Sequence, residues 1–232
     1  MIKMAKMRTA VLFSGGKDST LALHNALKFC EVQCLINVIS ENKESYMFHT
    51  PNIEFAEKQA EAIGLPIIVQ RTKGEKEKEL ADLEAAIKKA VEKYKIKGIV
   101  TGAVASVYQS SRIQKICKKL KLECLNPLWQ KDQIEILNEI IKLKFEVIII
   151  GVFAYGLENL VGRSIDKSFV EDIARLREKY QINPAGEGGE FESFVLNAPF
   201  FKKKLQIEKS HVQRDSSGAA VLVIDKIKLM DK

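Results

Sequence analysis

Six consecutive residues near the amino end, Ser14-Gly15-Gly16-Lys17-Asp18-Ser19, bring together two hydroxyls, a cation, a carboxylate and two bare backbone positions. Every one of these types suits a polyphosphate. The glycines let the backbone approach a ligand closely and take positive φ without strain. The hydroxyls donate hydrogen bonds, Lys17 supplies a point charge, and Asp18 is a candidate ligand for a hard cation such as Mg²⁺. The run follows the apolar stretch Ala10-Val11-Leu12-Phe13 and precedes the helical pattern Thr20–Leu27. A helix starting there aims its first N–H groups, and the positive end of its dipole, into the turn. The string is shorter than a Walker A loop, which places four residues between its first glycine and its Gly-Lys-Ser/Thr end.

The elements that must position this turn are legible around it. Strands are predicted at Thr9–Phe13, Glu31–Ile39, Pro66–Gln70 and Gly98–Thr101, and helices at Lys17–Phe29, Asn52–Ile63 and Glu75–Tyr94. Alternating β and α elements predict a mostly parallel sheet with helices on both faces. Ligands of such sheets sit beyond the carboxyl ends of the strands. The glycine turn lies there, as do Ser40-Glu41-Asn42 after the second strand and Gly102–Ser106 after the fourth. From about Asn126-Pro127 the pattern changes. A helix at Gln133–Leu143, a strand at Phe145–Val152 and a helix near Lys167–Lys179 precede strands at Phe191–Leu196, Lys203–Ser210 and Ala219–Leu229. The last two flank the turn Asp215–Gly218 as a hairpin. Two domains are expected, 1–125 as the polyphosphate-binding α/β part and 126–232 as a smaller α+β part.

Composition narrows the class. The chain has 232 residues, 46% of them hydrophobic, which supports a buried core and argues against disorder. It shows neither an apolar run of membrane-spanning length nor a secretory leader, so a cytoplasmic protein with no membrane partner is expected. The four cysteines, Cys30, Cys34, Cys117 and Cys124, include no C-x-x-C pair, which disfavours zinc. Cys34 remains a distant candidate for carrying sulfur. The net charge of +7 permits RNA, an acidic protein or an anionic ligand without choosing among them.

Set in its strand–helix context, the run Ser14–Ser19 resembles the pyrophosphate loop (PP-loop) of ATP pyrophosphatases, SGGxDS. Three further strings extend the likeness. They are Ser40–Asn52 (SENKESYMFHTPN), Gly102–Arg112 (GAVASVYQSSR) and Asn183–Pro199, which contains EGGEFESFVLNAP. Together they resemble the archaeal diphthine–ammonia ligase (diphthamide synthase) family of the N-type PP-loop superfamily, from the first strand to Phe201. The resemblance implies a Rossmann-like fold of the adenine nucleotide alpha hydrolase-like (HUP) type. It implies an ATP-dependent ligase that amidates the diphthine carboxylate of translation elongation factor 2 with ammonium. The reaction passes through an acyl-adenylate and releases AMP and pyrophosphate, with ATP as substrate and Mg²⁺ as its companion ion.

On that reading Lys17, Asp18 and Glu190 are catalytic candidates. Ser14, Gly15, Gly16, Lys17, Asp18, Ser19, Ser40, Gly102 and Arg112 are expected to bind the nucleotide. Tyr46, His49, Tyr108, Glu187, Gly188, Gly189, Glu190 and Glu192 are expected to bind the substrate. Gly188 and Gly189 offer N–H groups to a carboxylate or oxyanion, and a nearby acid suits the quaternary ammonium of diphthine. Solvated acids in a hairpin turn are the plainer alternative for the same residues. Two departures stand out: Val107 occupies a position where relatives commonly carry an acid, and Arg163 stands where they often carry two arginines. A tRNA-modifying PP-loop enzyme of thiolation type is the enzymatic rival, disfavoured by the lack of a cysteine pair and of an RNA-binding appendage. A non-catalytic nucleotide-binding regulator is the other. Homo-oligomerisation stays open.

Overall fold

The computed structural model describes residues 6–42, 51–75, 78–216 and 218–232. Two compact units divide the chain. The first takes the described residues within Met1–Ser14, Asp18–His49 and Leu65–Trp129; the second takes those within Gly15–Lys17, Thr50–Gly64 and Gln130–Lys232. Residues 51–64, which precede position 126, therefore pack with the later part of the chain.

In the first unit, β1 (Met7–Leu12), β2 (Cys30–Ser40), β3 (Ile67–Thr72), β4 (Gly98–Val100) and β5 (Glu123–Leu125) form a parallel sheet in the order β3-β2-β1-β4-β5. Parallel strands need covered faces, because their crossover helices lie on the sheet. Alternate residues show that both faces are covered. Ala10, Cys34, Ile36, Val38 and Ile99 join one core with Leu83, Ala86, Ile87 and Ala90 of α3 (Lys78–Tyr94) and Ile113, Ile116 and Cys117 of α4 (Val107–Lys119). Their neighbours Val11, Leu35 and Val100 point the opposite way and are also fully buried. Helix α1 (Lys17–Phe29) contributes the buried apolar residues Leu21, Ala22, Leu23 and Ala26. The chain leaves β1 toward β2 and β3, then crosses back to β4 on the other side of β1. This reversal opens the crevice in which such sheets bind ligands.

The second unit holds α2 (Ala56–Ile63), α5 (Gln133–Lys142), α6 (Lys167–Tyr180) and an antiparallel sheet. The sheet is made of β6 (Glu146–Val152), β7 (Phe191–Asn197), β8 (Lys203–Arg214) and β9 (Ala220–Asp231), in the order β7-β6-β9-β8. The segment expected to be helical from Asn52 begins as a 3-10 turn, Ile53–Phe55, and becomes α-helical at Ala56. Asn52 causes the delay, since its backbone is left-handed (φ 59°). Its side chain is held on β9: Nδ2 donates to the Leu222 carbonyl and Oδ1 accepts from Ile224 N, both at 2.8 Å. One amide thus stands in for a strand where β6 no longer pairs with β9 beyond Val221.

Asn52→Ala removes both bonds, leaves their backbone partners on β9 unmatched, and replaces a residue that tolerates the left-handed region with one that does so less readily. We expect a loss of about 2–4 kcal/mol, read as a lower urea midpoint at unchanged slope. Asn52→Asp keeps the acceptor alone and should fall between.

Candidate functional site

The turn after β1 is fixed from several directions. In the first unit, Phe13 donates its N–H to Ile36 O at 2.8 Å, and its carbonyl accepts from Nδ2 of the buried Asn37 at 2.8 Å. Ser14 and Ser19 close across the turn, with Ser14 N donating to Ser19 Oγ at 3.3 Å and the two hydroxyls 3.2 Å apart. Gly102, beyond β4, lies against the start of α1: a Cβ there would meet Ser19 N at 2.7 Å and the Asp18 carbonyl carbon at 2.8 Å. Backbone cannot give way as a side-chain tip can, so this close approach requires glycine. The β4 turn is in turn held by Thr101, whose hydroxyl meets Asn126 Oδ1 at 2.6 Å and accepts from Ala103 N at 3.2 Å.

Helix α4 starts on the N-cap Ser106, whose Oγ accepts from Gln109 N at 3.3 Å. One turn on, the Arg112 guanidinium carbon lies 3.4 Å from the Tyr108 ring centroid. The two candidates are stacked as one cation–aromatic unit. Val107, in place of the expected acid, is 68% exposed. The Ser40 hydroxyl closes its own turn, donating to Asn42 O at 3.0 Å and accepting from Asn42 N at 3.1 Å.

Gly15–Lys17 are held in the second unit by residues that sequence reasoning missed. The Gly15 carbonyl accepts from Gln59 Nε2 at 2.9 Å and from Val195 N at 3.0 Å. Gln59 also donates to Val195 O at 2.8 Å and is fully buried. Lys17 N donates to the buried Ser193 Oγ at 3.2 Å, and Lys17 Nζ stands 5.4 Å from the Phe191 ring centroid. Strand β7 therefore lines the turn with Phe191, Ser193 and Val195. Gly15 has φ +83°, and a Cβ on it would fall 1.9 Å from Gln59 Oε1, so any other residue here is strained and displaces the Gln59 amide from its bonds. Ser193 and Val195 lie inside the EGGEFESFVLNAP string, which was a signal for them. Gln59 had none, being one more polar residue on a predicted helix.

The loop before β7 organises itself around Glu190. One carboxylate oxygen accepts from Asn183 N at 2.8 Å and Asn183 Nδ2 at 2.7 Å; the other accepts from Gly188 N at 2.8 Å. Gly189 N donates to Gly186 O at 3.1 Å. The N–H groups of Gly188 and Gly189, expected to face a ligand, close the turn here instead. Glu192 lies on β7 opposite Gly151 of β6. Glu187 belongs to the same loop and is half-buried. Tyr46 and His49 lie outside the described residues. Arg163 is engaged with Asp172, Nη1 to Oδ2 at 2.6 Å. Burial pushes the Cys34 thiol up to about 12, so at neutral pH it is a protonated core side chain and a poor sulfur carrier.

Glu190→Gln puts an amide donor where the carboxylate now accepts only. We expect about 1–3 kcal/mol of destabilisation, or a fall in Tm of about 2–4 °C for each kcal/mol, measured by calorimetry. An unchanged Tm would mean that the loop does not depend on this charge.

Among the described residues no helix is long and apolar enough to cross a membrane, and no group of three or more His, Cys, Asp or Glu side chains is placed to hold a metal. Comparison with known proteins identifies the family. The family model for the diphthamide synthase N-terminal domain matches residues 7–124, and that for the diphthamide synthase C-terminal domain matches residues 132–230. The diphthine–ammonia ligase of Bos taurus is 34% identical over 92% of this chain and 87% of its own length. That of Mus musculus is 33% identical over 97% of this chain and 94% of its own. A solved structure described as a predicted tRNA methyltransferase subunit, from Methanocaldococcus jannaschii, covers 83% of this chain and 98% of its own at 20% identity. Its TM-score of 0.44 is too low to bear on the function. With both domains matched almost end to end, on a chain whose PP-loop turn is held by the EGGEFESFVLNAP strand, this protein belongs to the diphthamide synthase family.

Proposed function

We propose that the chain catalyses ATP-dependent amidation of the diphthine carboxylate on translation elongation factor 2, with ammonium as the nitrogen source. The observation that carries this reading is the turn Ser14–Ser19. Within it, β7 grips Gly15–Lys17 through the Gly15 carbonyl and the Lys17 N–H. A carboxylate is inert toward ammonia because oxide would have to leave. ATP removes that obstacle. A carboxylate oxygen attacks the α-phosphorus, the bond from that phosphorus to the bridging oxygen breaks, and pyrophosphate departs. Ammonia then attacks the acyl carbon, AMP leaves, and a proton is lost.

Each part of the turn suits a role in the first step. Ser14, Gly15, Gly16 and Ser19 cradle the phosphates, assisted by the start of α1. Lys17 neutralises charge that grows on the departing pyrophosphate. Its position is set by the bond from its backbone to Ser193 and by the ring of Phe191. Asp18 stands in the first turn of α1. A single carboxylate fits Mg²⁺ rather than Ca²⁺ or zinc, since Mg²⁺ takes most of its ligands from phosphates and water. Bound there, the ion would supply charge neutralisation on the phosphates. Ser40, Gly102 and Arg112 are assigned to the nucleotide. Tyr108, Glu187 and Glu192 are assigned to the modified side chain. Glu190 acts in this scheme by shaping the loop.

Lys17→Met keeps the buried stem and removes the charge. AMP formation should fall by about 100-fold or more while the fold survives, as judged by circular dichroism and melting. Full activity in that variant would remove the turn from the chemistry. In the wild type, ATP, ammonium and diphthine-bearing elongation factor should yield AMP and a factor lightened by the exchange of hydroxyl for amino. A chain that needs tRNA for AMP release is the thiolation-type enzyme instead, and one that turns nothing over is a sensor.

A further inference from the structure

The pair β6–β7 carries an aromatic group that the scheme above leaves unused. Phe153 directly follows β6 and is 44% exposed. Its N–H donates to the Glu190 carbonyl at 2.8 Å, which ties the end of β6 to the loop that begins β7. The ring folds back over Gly151: a Cβ at Gly151 would lie 2.8 Å from Phe153 Cζ and 3.4 Å from Pro51 Cγ. Gly151 is the register partner of Glu192 across the antiparallel pair. Residues directly opposite each other put their side chains on the same face. The ring thus occupies the place of the side chain that Gly151 lacks, on the face that carries Glu192. A bulge between Ile149 and Gly151 adjoins this point, and bulges of this kind re-aim side chains beside functional sites.

A half-exposed aromatic face beside a carboxylate is matched to a particular ligand chemistry. A quaternary ammonium has no N–H to donate, so it is recognised by a ring quadrupole and a countercharge. A neutral apolar group would gain nothing from Glu192, and a primary ammonium would gain more from oxygen acceptors than from a ring. We propose that Phe153 and Glu192 form a receptor for a quaternary ammonium group. Resting on the amidation reading, its occupant is the trimethylammonium end of diphthine, held while the neighbouring carboxylate reacts.

The test compares two substrates. One is elongation factor carrying diphthine, and the other carries the same side chain without its three N-methyl groups. The wild type should favour the methylated factor in kcat/KM by about tenfold. Phe153→Leu, apolar but without a ring, should lose that preference with the KM for ATP unchanged, while Phe153→Tyr should keep it. Glu192→Gln should also weaken it. Titration calorimetry supplies an arm independent of turnover and of variant folding. Choline should bind the wild type about tenfold more tightly than its neutral isostere, 3,3-dimethyl-1-butanol. Equal rates on the two factors overturn the receptor and leave amidation standing. Amidation of neither factor overturns the amidation reading, and the choline titration then decides the receptor alone: binding no tighter than the isostere discards it.

Discussion

The carbonyl of Gly15 is the point on which the rest of the site depends. It accepts two hydrogen bonds, from Gln59 Nε2 and from Val195 N. A trans peptide points its N–H away from its C=O, so tying down this one oxygen sets the direction of the Gly16 N–H as well. The same strand takes the Lys17 N–H on Ser193 and places the Phe191 ring near the Lys17 ammonium. A glycine turn alone would be pliable. Donors from α2 and β7 fix the Gly15 oxygen in place, as the preorganised cradle proposed for the phosphates requires.

That arrangement also explains why one string of sequence, EGGEFESFVLNAP, serves two ends. Its first half closes a loop around Glu190, whose carboxylate holds Asn183 and Gly188. Its second half is the strand β7 that grips the turn. The loop around Glu190 and the residues Gly15–Lys17 are therefore tied to one continuous strand.

Much of this was legible in the sequence because the signals were local. Helix α1 begins and ends where its pattern places it, at Lys17 and Phe29. The parallel sheet follows from β-α alternation, and the β8–β9 hairpin from the Asp215–Gly218 turn. The illegible parts have physical reasons. Strand β5 is three residues long, too short for a period to show. The late helical start after Asn52 depends on that residue's bonds to β9, some 170 positions away. Gln59 is polar and sits on an amphipathic helix, where a solvent-facing role is the default, yet it is fully buried on the turn. Gly188 and Gly189 were read as open donors because sequence cannot show that Glu190 and Gly186 already accept from them.

The central claim is that ATP activates a carboxylate by accepting one of its oxygens at the α-phosphorus. Isotope tracing tests it directly. Elongation factor carrying diphthine labelled with ¹⁸O in the carboxylate is turned over with ATP and ammonium, and the nucleotide product is weighed. One labelled oxygen in AMP, with none in pyrophosphate, is the predicted result. ADP with labelled phosphate, or AMP without label, would contradict it.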